Sequence, residues 1–210
     1  MTPSQLAEEI ERLILSYTDL YANQIESLQG TIYNRLIRTL RELVLDEEGY
    51  IKQSAVNRSI LLQAENELND LLPGQSFIKN VSNVLEVIPK VDSLNSDYFR
   101  GISEGFSANR NFIKSLQSQT VQSIESTLLQ DGLTAQIKNP LSDILNRNIN
   151  SGGQFKGFLE ELKTFIEGSD KIEGKILSYS RTYLRDTLFN NSRAYHESVT
   201  SDFYNSVNVG

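Results

Sequence analysis

The sequence predicts an all-α protein, an elongated bundle of long antiparallel helices with a long N-terminal helix. Three observations lead there. Apolar residues recur at steps of three and four along most of the 210 residues, the spacing that lines one stripe of a helix. No stretch alternates apolar and polar residues for long enough to read as a strand. Hydrophobic residues make up 39% of the chain and charged residues 22%, low for a compact globule and comfortable for helices that bury narrow stripes.

The first helix starts at a capping box. Thr2 offers its hydroxyl to free backbone N–H groups, Pro3 suits the first helical position, and Gln5 stands where a side chain reaches back. Leu6, Ile10, Leu13, Tyr17 and Leu20 then alternate steps of four and three. That is a heptad seam, and it makes self-association through these five residues an expectation. After Tyr21 the phase slips, and the stripe continues on Ile25, Leu28, Ile32, Leu36, Leu40 and Leu43. The helix is expected to run to about Asp46. Some forty residues at 1.5 Å each span about 60 Å, so part of this helix is expected to act as an arm that reaches a partner.

Gly49 ends or kinks this segment. A second helix over 55–72 carries Val56, Ile60, Leu61, Ala64, Leu68, Leu71 and Leu72 inward, and Pro73-Gly74 stops it. A third covers about 76–87 until Pro89. A weaker pattern over 92–105, on Leu94, Tyr98, Phe99 and Ile102, reads as the joint between an N-terminal helical region, 1–105, and a C-terminal one, 106–210. The helix over 106–130 has a surface of Ser, Thr, Gln and Asn with only Arg110, Lys114 and Glu125 charged. A short element over 133–138, a helix from Pro140 to Asn148, the loop Asn150-Ser151-Gly152-Gly153 and a helix over 154–166 follow. The last helix, 171–207, bears a broad stripe of Ile172, Ile176, Tyr179, Tyr183, Leu188, Tyr195, Val199 and Phe203, which is expected to pack on the polar helix 106–130.

The composition narrows the function classes. A net charge of −7 runs against binding by phosphate neutralisation, which needs clustered Lys and Arg, so nucleic acid is not an expected specific ligand. The one basic row, Arg35, Arg38 and Arg41, reads as a solvated face. With no cysteine, disulfides, thiolate metal sites and a Cys nucleophile are excluded. His196 is the single histidine, so neither a two-His zinc site nor a Ser-His-Asp triad is favoured within one chain, and a solvated or hydrogen-bonded role is expected. Asp46, Glu47 and Glu48 lack the alternating oxygen ligands of a calcium loop. No glycine-rich phosphate loop occurs. No catalytic residue, metal or cofactor is therefore expected. The polar, acidic start is not that of a signal peptide, and no run is apolar enough for a membrane span.

One stretch carries a family likeness. A helix ending at Leu129-Gln130-Asp131-Gly132, a short helix, the run Ser-Gly-Gly-Gln-Phe-Lys-Gly-Phe from Ser151, and a long helix bearing Ser180-Arg181-Thr182 and Asn190-Asn191-Ser192-Arg193-Ala194-Tyr195 resemble the helical part of the minor head proteins of tailed bacteriophages, the head-morphogenesis family. Arg181, Thr182, Arg193 and Tyr195 match the family's pattern on this helix, and Tyr183 stands where the family carries an acid. The resemblance covers about eighty residues. It implies a non-enzymatic virion protein, placed in the head or in the host cytoplasm during assembly. Its implied partners are portal and capsid, and its implied task is head assembly or genome delivery. The reading from the residues alone that competes with it is a cytoplasmic coiled-coil interaction or adaptor protein using the seam from Leu6 to Leu20.

Overall fold

The computed structural model describes residues 1–207, with side chains described through Ser201. The Phe203 side chain, at the end of the expected stripe, and the terminal residues 208–210 lie outside the described residues. The protein is all-α: 81% of it is helical, and among the described residues the sheet is a single two-stranded one. In chain order the elements are α1 (Pro3–Leu40), α2 (Ala55–Leu71), α3 (Gln75–Leu85), α4 (Val87–Ile102), α5 (Arg110–Leu129), the single turn α6 (Asp131–Leu133), a π-helical turn (Thr134–Lys138), α7 (Asn139–Ser151), α8 (Phe155–Ile166), β1 (Gly168–Ser169), β2 (Ile172–Glu173) and α9 (Lys175–Val207).

The chain forms two compact units that interleave along the sequence. Unit 1 takes Met1–Tyr21, Val81–Glu125 and Arg181–Gly210; unit 2 takes Ala22–Asn80 and Ser126–Ser180. The division expected at residue 105 does not follow this pattern. The phase slip read after Tyr21 coincides with the passage of α1 from one unit to the other. The joint expected over 92–105 is instead the body of α4, inside unit 1.

In unit 2 the second half of α1 buries Ile25, Leu28, Ile32, Leu36 and Leu40, as the stripe predicts. The helix ends at Leu40 rather than near Asp46. Asp46 is used in a turn, where its Oδ1 accepts from the backbone N–H groups of Glu48 and Tyr50 at 3.0 and 2.8 Å, a local bond that competes with helix. The chain returns through a bridge between Leu45 and Ile51. Asn57, fully buried in the first turn of α2, secures that return: it accepts from Val44 N at 2.8 Å and donates to Val44 O and Lys52 O at 2.9 and 2.7 Å. Ser54 caps the helix. Val56, expected inward, is exposed, while Ile60, Leu61, Ala64, Leu68 and Leu72 are buried.

α7 and α8 pack on each other, with Leu141, Ile144, Leu145 and Ile149 buried on α7 and Phe158, Leu162 and Ile166 buried on α8. Asn148 Nδ2 donates to Glu161 Oε2 at 2.9 Å across them. The loop read at 150–153 is shorter than expected. α7 continues to Ser151, and Gly152 ends it in the left-handed region at φ 74. Any side chain there is strained, so Gly152→Ala is expected to lower unfolding stability by about 1 kcal/mol, measured by urea denaturation.

Three further expectations change in the structure. Pro89 does not end a helix but sits in the first turn of α4, where its missing N–H would have no intrahelical partner in any case. Ile102 is exposed at the C-terminal end of that helix. The last helix starts at Lys175, not 171, because Gly168–Ser169 and Ile172–Glu173 pair as an antiparallel hairpin. Gly174 lets this hairpin close. A Cβ there would collide with the Ile166 carbonyl oxygen and with the Gln29 side chain, and Gln29 Nε2 donates to that same carbonyl.

Candidate functional site

Unit 1 takes in parts of α1, α3, α5 and α9 and the whole of α4, and several of its buried side chains are polar. Its helix directions follow from the cross-contacts. Asp92 meets Asn191 and Ser96 meets Tyr195, both 99 residues apart, so α4 and α9 run parallel. Thr120 meets Asn191 while Ser123, further along α5, meets Tyr183, earlier on α9, so α5 and α9 are antiparallel. Tyr17 lies by Lys90 and Pro3 by Gly101, so α1 runs opposite to α4. The N-terminal stretch is therefore a packed member of unit 1, not a free arm: Leu6, Ile10 and Ile14 are buried.

The helical register explains how the polar layer is built. Along α4, Val87 and Ile88, Val91 and Asp92, Asn95 and Ser96, and Phe99 are the buried positions, at the three-and-four spacing of one face. The periodicity is that of a core, but polar side chains occupy its middle two turns. α9 does the same. Leu184, Leu188, Asn191 and Tyr195 are buried at steps of four, three and four.

Asp92 lies at the centre of this layer. It is 2% exposed; Oδ1 accepts from Asn191 Nδ2 at 2.9 Å, and Oδ2 accepts from Gln117 Nε2 at 2.9 Å. Burial pushes its carboxyl above the ordinary carboxylate range, and the two amide donors pull it back in part. Asn191 is held in turn by Thr120, whose hydroxyl donates to Asn191 Oδ1 at 2.8 Å. One turn further on, the Ser96 hydroxyl donates to Asp92 O at 2.9 Å and shares a hydrogen bond of 2.7 Å with Tyr195 OH. Burial raises the Tyr195 phenol above its usual range, so it remains neutral at physiological pH.

The layer ends at Asn95 and His196. Asn95 Oδ1 accepts from Ser192 Oγ at 3.1 Å and lies 3.0 Å from His196 Nε2; its own Nδ2 is buried without a hydrogen-bond partner. The His196 ring sits 5.0 Å from that of Tyr98 and 4.8 Å from that of Phe99. Burial lowers its pKa below the ordinary histidine value. The hydrogen-bonded role expected for His196 is the one it has. His196, Ser192, Arg193 and Glu197 also face a groove of about 400 Å³ between α9 and Ala7, Ile10 and Glu11 of α1. Arg193, Glu11 and Glu197 are the charged residues on its walls, with Ile10 and Phe189 as the apolar part.

The residues singled out from the sequence fall in different places. Tyr195 is 1% exposed and belongs to the polar layer. Arg193 is exposed on the groove, donating to Asn190 Oδ1 at 3.2 Å. Arg181 is half-buried and Thr182 exposed, so the four are not one cluster. Of the seam residues, Leu6 and Ile10 are buried by the chain itself, Leu13 and Tyr17 are half-buried, and Leu20 is 51% exposed. The stripe of the last helix does meet α5 as expected, through Tyr183 and Ser123 and through the Phe112 and Tyr195 rings, 6.4 Å apart. Arg35, Arg38 and Arg41 are exposed.

Sequence reasoning missed Asp92, Asn95, Ser96, Thr120 and Asn191 as members of one layer. The available signal was their phase: each continues an apolar stripe where polar residues are normally excluded. Among the described residues no group of acids and histidine is arranged to hold a metal ion, and no helix is long and apolar enough to cross a membrane. No protein-family profile, curated protein or solved structure matches the chain.

Proposed function

We propose that the chain is a non-enzymatic structural protein of a tailed-phage head, associated with portal or capsid interior and assisting head assembly or genome delivery. What supports the reading is the resemblance carried by the stretch from Leu128 to Tyr195, together with one observation on its last helix. The motif run there is spent on packing. Asn191 and Tyr195 are buried, tying α9 to α4 and α5, while Arg181 and Arg193 reach the surface or its margin. A buried polar layer fixes which helix pairs with which and at what register, as a single buried Asn does in coiled coils. Such a device suits a component that must present one geometry to neighbouring subunits.

Mass spectrometry of particles purified from the replicon that encodes this chain tests the reading. The chain is expected in those particles at a fixed ratio to portal, and its absence from them would overturn the assignment.

A further inference from the structure

We propose that His196 is an acid-sensitive latch of unit 1: neutral, it holds the 192–200 stretch of α9 against α4 through Asn95, and on taking a proton it releases that stretch. The geometry carries the inference. His196 is clasped on one side by Asn95 Oδ1, on another by the rings of Tyr98 and Phe99, and Ser192, one turn earlier on α9, donates to the same oxygen. With Asn95 Oδ1 as the acceptor, Nε2 carries the hydrogen and the imidazole is complete as a neutral donor. A second proton has to go on Nδ1 and makes a cation beside apolar rings. Asn95 cannot answer with more acceptors: its one carbonyl oxygen already receives both donors, and its other polar atom is an amide nitrogen.

The charged and titratable groups around the ring do not supply a dedicated counter-ion. From α1, Glu11 lines the same groove; from α9 itself come Glu197 and, opposing them, Arg193. From α4 the ring meets Tyr98, while Asp92 lies a turn away with both carboxylate oxygens engaged by Asn191 and Gln117. Burial lowers the His196 pKa.

The sign follows. A histidine whose folded pKa lies below its unfolded value of about 6.5 binds its proton more readily in the opened state. Stability of the closed arrangement is then full above about 6.5 and declines as pH falls from there toward the folded pKa. Asp92 works in the opposite sense. Its carboxyl is raised, so the closed form binds that proton more readily and gains stability as pH falls through its own range. The two groups give acid responses of opposite sign.

Because His196 is the only histidine, its titration in the full chain is read without ambiguity from the imidazole carbon-bound protons by NMR. The expected pKa is below 6.5. Hydrogen exchange of the 192–200 amides, corrected for intrinsic pH dependence, is expected to show opening that increases on the order of tenfold per pH unit between about pH 6.5 and the measured pKa. In His196→Gln, which keeps an amide donor for Asn95, that slope is expected to vanish. A His196 pKa at or above 6.5 would show the cation to be stabilised in place, for instance by the two aromatic rings, and would overturn the latch. An unchanged slope in His196→Gln would do the same by placing the response on other groups. The wild-type titration decides the matter even if the variant folds poorly.

Discussion

Asn191→Ala is expected to lower the unfolding free energy by about 3 kcal/mol, because it strips one of two donors from a buried carboxylate. The substitution removes the Nδ2 that reaches Asp92 Oδ1 and the Oδ1 that receives the Thr120 hydroxyl. It thus leaves a charge and a hydroxyl short of partners in one step. For a chain of this size the loss corresponds to a fall in Tm of about 6–12 °C, read by circular dichroism at pH 7. The companion variant separates the worth of the layer from the cost of its charge. Asp92→Asn removes the ionised group and keeps its shape; one amide oxygen still accepts from Asn191, and Gln117 can turn its own oxygen toward the new NH2. Its expected cost is below about 1 kcal/mol, or a gain, since neutral partners of the same shape avoid the desolvation of a buried charge. Equal losses from the two variants would mean that the carboxylate is not penalised by burial.

Ile176→Ala is expected to cost about 3 kcal/mol, while Ile172→Ala costs less than about 0.5 kcal/mol. The two residues are one helical turn apart in the sequence and look equivalent on a helical stripe. Ile176 is 0% exposed and Ile172 63% exposed. The reason is the hairpin of β1 and β2, which takes Ile172 out of the helix and places it on a short strand facing solvent. Urea denaturation with a shared m-value checks the pair. A comparable loss from both would mean that the helix extends back through Ile172.

The same pair shows where sequence reading succeeds. Stripes of apolar residues with no competitor, such as Ile25 to Leu40 on α1, are buried as read, because helical phase and hydrophobicity point the same way. The capping box at Thr2 and Gln5 forms with bonds of 2.8 and 3.3 Å, since it depends on neighbours three residues apart. Two kinds of feature were hidden. The hairpin at Gly168 and the turn at Asp46 are decided by single side-chain and backbone contacts a few residues long, beneath the resolution of periodicity. The polar layer was hidden for the opposite reason. Asp92, Asn95 and Asn191 keep the phase of a core but not its chemistry, and their partners come from helices 25 to 101 residues away. A search for apolar stripes passes over them, and on α9 it picks the half-buried Tyr179 and Tyr183 and misses the fully buried Ser180 and Leu184.

The interleaving of the units sets an order in time. All the chain that unit 2 needs has been made once Ser180 leaves the ribosome, whereas unit 1 is built from three separated pieces, the last of which begins at Arg181. α4 and α5 therefore emerge with Asp92 unmatched, and for the time it takes to synthesise some seventy further residues its carboxylate has only water and Gln117 to turn to. Polarity in this layer has a use during that wait. An apolar seam left open would be an invitation to the wrong neighbour, but a seam of Asp, Asn and Ser stays hydrated until α9 arrives with the matching amides.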